Sequence, residues 1–174
     1  MTWEDIPGWF DFGILYSQAV NHLPTPGVLV ECGCHLGRSL CYLAHRVKES
    51  KRDFQVYGVE LTVTDELVDN LFDCGFNDLV TLVPADSVKA SSLFADNSVS
   101  MVFLDTDHSY EHLRAEIVAW LPKVKIGGII AGDDIGLPHE LDPIWPGVRR
   151  AVTELFGTDW QHSPHDSWVH FKRK

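Results

Sequence analysis

VLVECGCHLGRSL, residues Val28 to Leu40, decides how the rest of the chain is read. Val28, Leu29 and Val30 form an apolar run without polar alternation, the pattern of a strand covered on both faces in a parallel α/β sheet. Glu31 interrupts that run. A carboxylate at the end of a buried strand is costly unless it is hydrogen-bonded, so Glu31 either caps nearby backbone or faces a ligand. Gly33 and Gly37 then bracket a turn in which the missing side chains let backbone N–H groups approach a bound group, and a helix opens at Gly37.

The spacing is E-x-G-x-x-x-G. It lacks the middle glycine of the G-x-G-x-x-G dinucleotide turn, and Arg38 follows Gly37 where a phosphate loop needs Lys. The stretch resembles motif I of class I S-adenosylmethionine (SAM) dependent methyltransferases, whose glycine-rich turn holds the amino-acid end of SAM. The other reading of the turn is purely structural, because α/β proteins also use glycine there for helix–strand packing.

Length and composition set the bounds. The 174 residues are 45% hydrophobic and 22% charged, which suits one globular domain with a continuous core. No segment approaches the roughly 18 consecutive apolar residues of a membrane span. The start, MTWEDIPGW, is acidic and broken by proline, unlike a signal peptide, and a cytoplasmic location is expected. Cys32, Cys34, Cys41 and Cys74 form no C-x-x-C pair and read as reduced thiols; Cys32-x-Cys34-His35 has no second ligand pair to make a zinc cluster. A net charge of −11 disfavours nucleic acid as partner. The short basic clusters, 48–52 and 172–174, read as solvated ends.

Along the chain, Trp3, Trp9, Phe10 and Phe12 precede a helix expected over 11–22, with Ile14, Leu15 and Ala19 on its inner face. This N-terminal segment over 1–27 reads as a cover for one sheet edge, as a lid over a ligand, or as a contact in a homodimer. Leu40, Leu43, Ala44 and Val47 recur at helical spacing. Strands are expected over 54–61, 79–84, 100–104 and 126–131. Helices are expected from the Thr64 or Asp65 cap to Phe72, from Asp86 or Ser87 to about Phe94, and from the Ser109 cap along Leu113, Ile117, Trp120 and Leu121. The loop over 137–147 falls on the side where ligands bind. A helix over 146–156 turns Val148, Val152 and Leu155 inward, and residues 158–162 and 167–172 close as a hairpin around 163–166.

Glu60 ends the second strand, where an acid is placed to accept hydrogen bonds from two ribose hydroxyls. FLDTDHSYE and GGIIAGDD carry the most specific signal. With ECGCHLGRS, PGVRRAVTELF and SWVHFK they resemble, almost end to end, the small SAM-dependent O-methyltransferases related to macrocin-type sugar O-methyltransferases. In motif layout the chain is also similar, more distantly, to catechol O-methyltransferase. The resemblance implies a Rossmann-like, doubly wound, mostly parallel seven-stranded sheet with helices on both faces and a C-terminal antiparallel hairpin. It assigns Glu31, Gly33, His35, Gly37, Ser39, Glu60, Asp86, Ser87 and Asp105 to the cofactor. Asp86 would meet the adenine amino group, although Asp86 or Ser87 reads equally as a helix cap. It also assigns Asp105, Asp133 and Asp134 to Mg²⁺, and Asp107 to the general base.

The chemistry of the residues agrees with that assignment. Carboxylates delivered by neighbouring strands repel one another and raise one another's pKa unless a cation neutralises them. Hard oxygen donors without a nearby thiol suit Mg²⁺, Mn²⁺ or Ca²⁺ better than zinc. Asp107 and His108 are both of a type to take a hydroxyl proton. Against this stands a reading in which Asp107 caps a helix and Asp133 and Asp134 hold a turn. Tyr110 orients substrate or packs, and His162, His165 and His170 read as a solvated turn. The expected activity is SAM-dependent O-methylation of a small molecule such as a sugar or glycosylated metabolite. Two alternatives are a SAM-binding module without transfer activity and a metal-dependent hydrolase or hydroxylase-like enzyme.

Overall fold

The computed structural model describes residues 1–141 and 143–173; Asp142, in the loop expected over 137–147, and Lys174, in the basic tail, lie outside the described residues. Five parallel strands, β1 (Gly27–Cys32), β2 (Phe54–Glu60), β3 (Val80–Pro84), β4 (Val99–Leu104) and β5 (Val124–Gly132), are joined by the short β6 (Gln161–His162) and by β7 (Trp168–Phe171). The order across the sheet is β3-β2-β1-β4-β5-β7-β6, with β7 antiparallel to both neighbours. This is the doubly wound sheet with a closing hairpin that the motif layout implied.

The apolar runs behave as strands covered on both faces. In β4, Met101 and Phe103 join one buried cluster while Val102 and Leu104 join another. Helices α1 (Gly13–His22), α2 (Arg38–Ser50) and α3 (Asp65–Asp73) cover the first face. The short α4 (Ser87–Ala90), α5 (Tyr110–Trp120) and α6 (Pro146–Phe156) cover the second. Phe12 stacks on Phe103 with centroids 4.3 Å apart, and Tyr16 meets the same ring edge-on at 5.1 Å. Each such pair adds about 0.5–1.5 kcal/mol beyond its buried area, so the N-terminal segment is fastened to the centre of the sheet.

Several expectations are corrected. Helix α1 starts at Gly13, and Ile14 is 48% exposed, because its inner stripe is Leu15, Tyr16, Ala19 and Val20. Strand β5 begins earlier, at Val124; a register shift against β4 and the positive φ of Gly127 leave Ile126 exposed. Helix α4 ends at Ala90 and continues only as a 3₁₀ turn over Ser91–Leu93. The first hairpin strand holds only two residues. Two residues assigned to solvated basic ends are structural instead. Arg52 donates to the Val20 and Leu23 carbonyls at the end of α1, and Lys172 Nζ donates to the Leu121 and Val124 carbonyls at 3.0 and 2.7 Å, past the end of α5. Both satisfy carbonyls that a helix terminus or the chain leaving it would leave orphaned. Among the described residues no helix is long and apolar enough to cross a membrane.

Candidate active site

Strand register builds the site. Cys32 pairs with Val59 and with Leu104, Leu104 pairs with Gly132, and Glu60 pairs with Pro84. The next residues, Gly33, Asp105, Asp133 and Ala85, therefore emerge at one level along the carboxyl edge, beside Glu60. Gly33 N–H donates to the Val59 carbonyl and Asp105 N–H to the Cys32 carbonyl, both at 2.9 Å. Gly33 has φ +87°, and a Cβ there would lie 1.8 Å from the Asp105 carbonyl oxygen. Only glycine permits this approach of the turn to the end of β4. Gly37 caps α2 in the left-handed conformation, and a Cβ on it would meet Leu67 at 2.7 Å.

A cavity of about 1380 Å³ opens over this edge. Of the residues assigned to a cofactor, Gly33, His35, Glu60, Asp86, Ser87 and Asp105 line it. Glu60 Oε2 accepts from the N–H groups of Cys34 and His35, each at 2.9 Å, which locks the glycine turn. Among the described residues its Oε1 has only a 3.4 Å contact with Thr62 N–H, leaving acceptor capacity on the cavity wall. Asp86 caps α4 by accepting from Lys89 N–H at 3.0 Å while still lining the cavity, so both of its readings hold together.

Glu31, Ser39 and Gly37, also assigned to the cofactor, lie behind the residues that line the cavity. Glu31 is 1% exposed and lies beneath the turn, where Tyr16 Oη donates to Oε2 at 2.8 Å and Ser39 Oγ to Oε1 at 2.6 Å. Burial pushes its carboxyl up to about 8. The strand-end acid is thus a buried, hydrogen-bonded support.

At the other end of the cavity, His108 Nε2 lies 2.6 Å from Asp134 Oδ2 and 3.4 Å from Asp105 Oδ1. Asp134 reaches this position from a left-handed backbone, φ +63°, which Asp tolerates better than most residues. Hydrogen bonds to Asp105 and then Asp134 raise the His108 imidazole to about 10. Its ring stacks on Trp145 with centroids 4.7 Å apart. Among the described residues, Asp105, His108 and Asp134 form the group able to converge on a metal ion, their ligand atoms all within 4.8 Å of one another.

Asp133, expected as the third ligand, lines the cavity and accepts from Ser167 Oγ through Oδ1 at 2.8 Å. Burial, followed by the field of Asp105, lifts its carboxyl to about 7. Asp107 accepts from Ser109 N–H at 2.7 Å, which lowers its pKa and makes it a weak base. The expected helix-capping role of Asp107 and Ser109 is observed, since Ser109 Oγ accepts from His112 N–H at 3.3 Å. The hairpin histidines do not converge: His170 is buried and stacks on Phe156 at 4.1 Å, and His165 faces Asp11.

Glu116 is a site neighbour that sequence reading passed over. It is fully buried, accepts from Ser87 Oγ and, at 2.7 Å, from Thr106 Oγ1, and so holds two cavity-lining hydroxyls. Burial raises its pKa. The available signal was its place on the Leu113, Ile117 and Trp120 stripe of α5, where an acid must find donors.

Many solved structures resemble the chain, O-methyltransferases among them. CalS11, a TDP-rhamnose 3′-O-methyltransferase of calicheamicin biosynthesis, is 22% identical with a TM-score of 0.65, and the match covers 92% of this chain and 76% of that one. The O-methyltransferase NovP is 17% identical with a TM-score of 0.74, covering 93% and 79%. TomG, the O-methyltransferase from Streptomyces achromogenes solved with SAM, is 16% identical with a TM-score of 0.70, covering 97% and 82%. At these identities the likeness carries the fold. No curated protein matches the chain. Residues 30–135, more than half of the sequence, match the family described as "Methyltransferase domain", and the chain belongs to that family.

Proposed function

We propose that the protein transfers a methyl group from SAM to a hydroxyl of a small molecule with the help of a divalent cation, Mg²⁺ in the first instance. The observation that carries this reading is the convergence, along one sheet edge and into one cavity, of the Gly33 turn, the Glu60 acceptor and the Asp105, His108 and Asp134 group.

Support for the cofactor comes from the family and from the wall chemistry. Glu60 keeps a free acceptor oxygen for ribose hydroxyls while bracing the turn. The first turn of α2 contains no acid that would oppose an anionic carboxylate near its positive end. SAM, when bound, supplies an electrophilic methyl on a sulfonium. Support for the cation comes from the donor set: the Asp105 and Asp134 carboxylates converge and offer the oxygen donors that suit a hard divalent ion. Such an ion, when bound, lowers the pKa of a coordinated hydroxyl.

The protein's own residues hold and move the proton. His108 is the proton acceptor: were a cation to take up the charge of Asp105 and Asp134, its imidazole would fall back from about 10, and Nε2, not itself bound to the cation, would be neutral and free to accept. Asp107, tied to Ser109 and depressed in pKa, is left to order the start of α5. The test is transfer of a labelled methyl from SAM to a panel of hydroxylated acceptors. Product that is lost with EDTA and with Asp134→Asn supports the reading. Tight SAM binding with no product from any acceptor contradicts transfer, and product indifferent to EDTA and to Asp134→Asn contradicts the metal.

A further inference from the structure

Among the described residues lining the cavity, eight carry carboxylates and three are histidines, while none is lysine or arginine. Asp105, Asp107, Asp133, Asp134 and Asp166 belong to the half beside β5 and β7, and Asp11 joins them through its proximity to His165 of the hairpin turn. The same cavity also carries exposed apolar side chains. Trp145 is 44% exposed, Ile144 is 82% exposed and Trp9 is fully exposed, and all three line the cavity. Among the described residues, Trp9 takes part in none of the aromatic pairs that fasten Trp3, Phe10 and Phe12 to the core.

These features bear on what sits beside the proposed metal group. A sulfonium and a divalent cation together offset only part of eight carboxylates, so the cavity stays negative. An acceptor carrying phosphate or carboxylate would enter that field with no guanidinium or ammonium to receive it. Indole faces carry negative quadrupole density; they bind aromatic rings by stacking and attract cations placed over them. His108 covers one face of Trp145 and leaves the indole 44% exposed; the acid lining, this remaining indole surface and the exposed Trp9 select the same ligand.

We propose that the acceptor is a hydroxylated aromatic molecule bearing an amine and no anionic group, held against Trp145 with its ammonium in the carboxylate field. The proposal rests on the methyl-transfer reading and assigns its substrate class. It sets this cavity apart from one built for a nucleotide-linked sugar or an acyl-coenzyme A.

The experiment uses the full chain saturated with S-adenosylhomocysteine (SAH) and Mg²⁺. Four phenols differing only in the para substituent, aminoethyl, ethyl, carboxyethyl or phosphate, are titrated by calorimetry. The aminoethyl phenol should bind tightest, about tenfold or more ahead of the carboxyethyl phenol, with the phosphate weakest. Trp145→Ala should weaken the aminoethyl and ethyl phenols together and leave SAH affinity intact, which also reports that the variant is folded. Asp11→Lys, on the exposed rim, should narrow the gap between amine and carboxylate. An anionic phenol binding as well as the amine, no binding by any phenol, or indifference to Trp145→Ala would each overturn the proposal. Absence of SAH binding would instead overturn the reading beneath it, so the two failures are separable.

Discussion

His108 Nε2 stands 2.6 Å from Asp134 Oδ2, so an imidazole from the end of β4 and a carboxylate from the end of β5 share a charged contact across the sheet edge. Asp105 closes the third side at 3.4 Å.

The sign of the resulting pH dependence follows from the direction of the shift. His108 is raised from an ordinary 6.5 to about 10 in the folded protein. Its contribution is fully present below pH 6.5 and is lost as pH rises through about 10. Metal-free protein should lose stability across that window, and His108→Asn should flatten the loss. Melting temperatures recorded in EDTA from pH 6.5 to 10 check this, and equal slopes for both proteins would contradict it.

Tyr16 and Glu31 make a second long-range pair, 2.8 Å apart and buried beneath the glycine turn. Tyr16→Phe leaves Glu31 Oε2 without its donor, and an unsatisfied buried acceptor costs about 1–3 kcal/mol. Urea denaturation at pH 7 should show that loss. The deficit should grow at pH 9, where a carboxyl raised to about 8 has lost its proton in the folded state and Oε2 most needs the Tyr16 donor. A variant as stable as the parent at pH 7 would contradict the account.

Gly33 tests the geometry of the edge itself. A methyl at this position meets the Asp105 carbonyl at 1.8 Å from a left-handed backbone. Gly33→Ala should cost about 3 kcal/mol or more, or abolish folding, because neither backbone can yield without breaking the register of β1 and β4. A melting temperature within a degree or two of the parent would show that the turn and β4 do not touch as described.

Much of this was legible in the sequence because strands deliver residues by register. Runs such as Val28–Val30 and Met101–Leu104 announce strands buried on both faces, and the residues just past them fall at one sheet edge. Asp105, Asp133, Glu60 and Gly33 could therefore be placed before any side chain was seen. Pairings between distant elements could not. Nothing in local spacing tells that Tyr16 reaches Glu31, that Arg52 caps α1, that Ser167 donates to Asp133, or that His108 turns back between Asp105 and Asp134. Glu31 misled for the same reason: its donors come from two helices, so a buried support and a ligand contact look alike in one dimension.

The central claim is that this edge holds an adenosyl cofactor through Glu60, and calorimetric titration with SAH of the parent and of Glu60→Ala tests it most directly. The parent should bind one SAH per chain. The variant, which loses the ribose acceptor and the brace on Cys34 and His35, should bind about 10–100-fold more weakly, the loss expected of one or two charge-assisted hydrogen bonds. No SAH binding by the folded parent, or equal affinity in both proteins, would contradict the account.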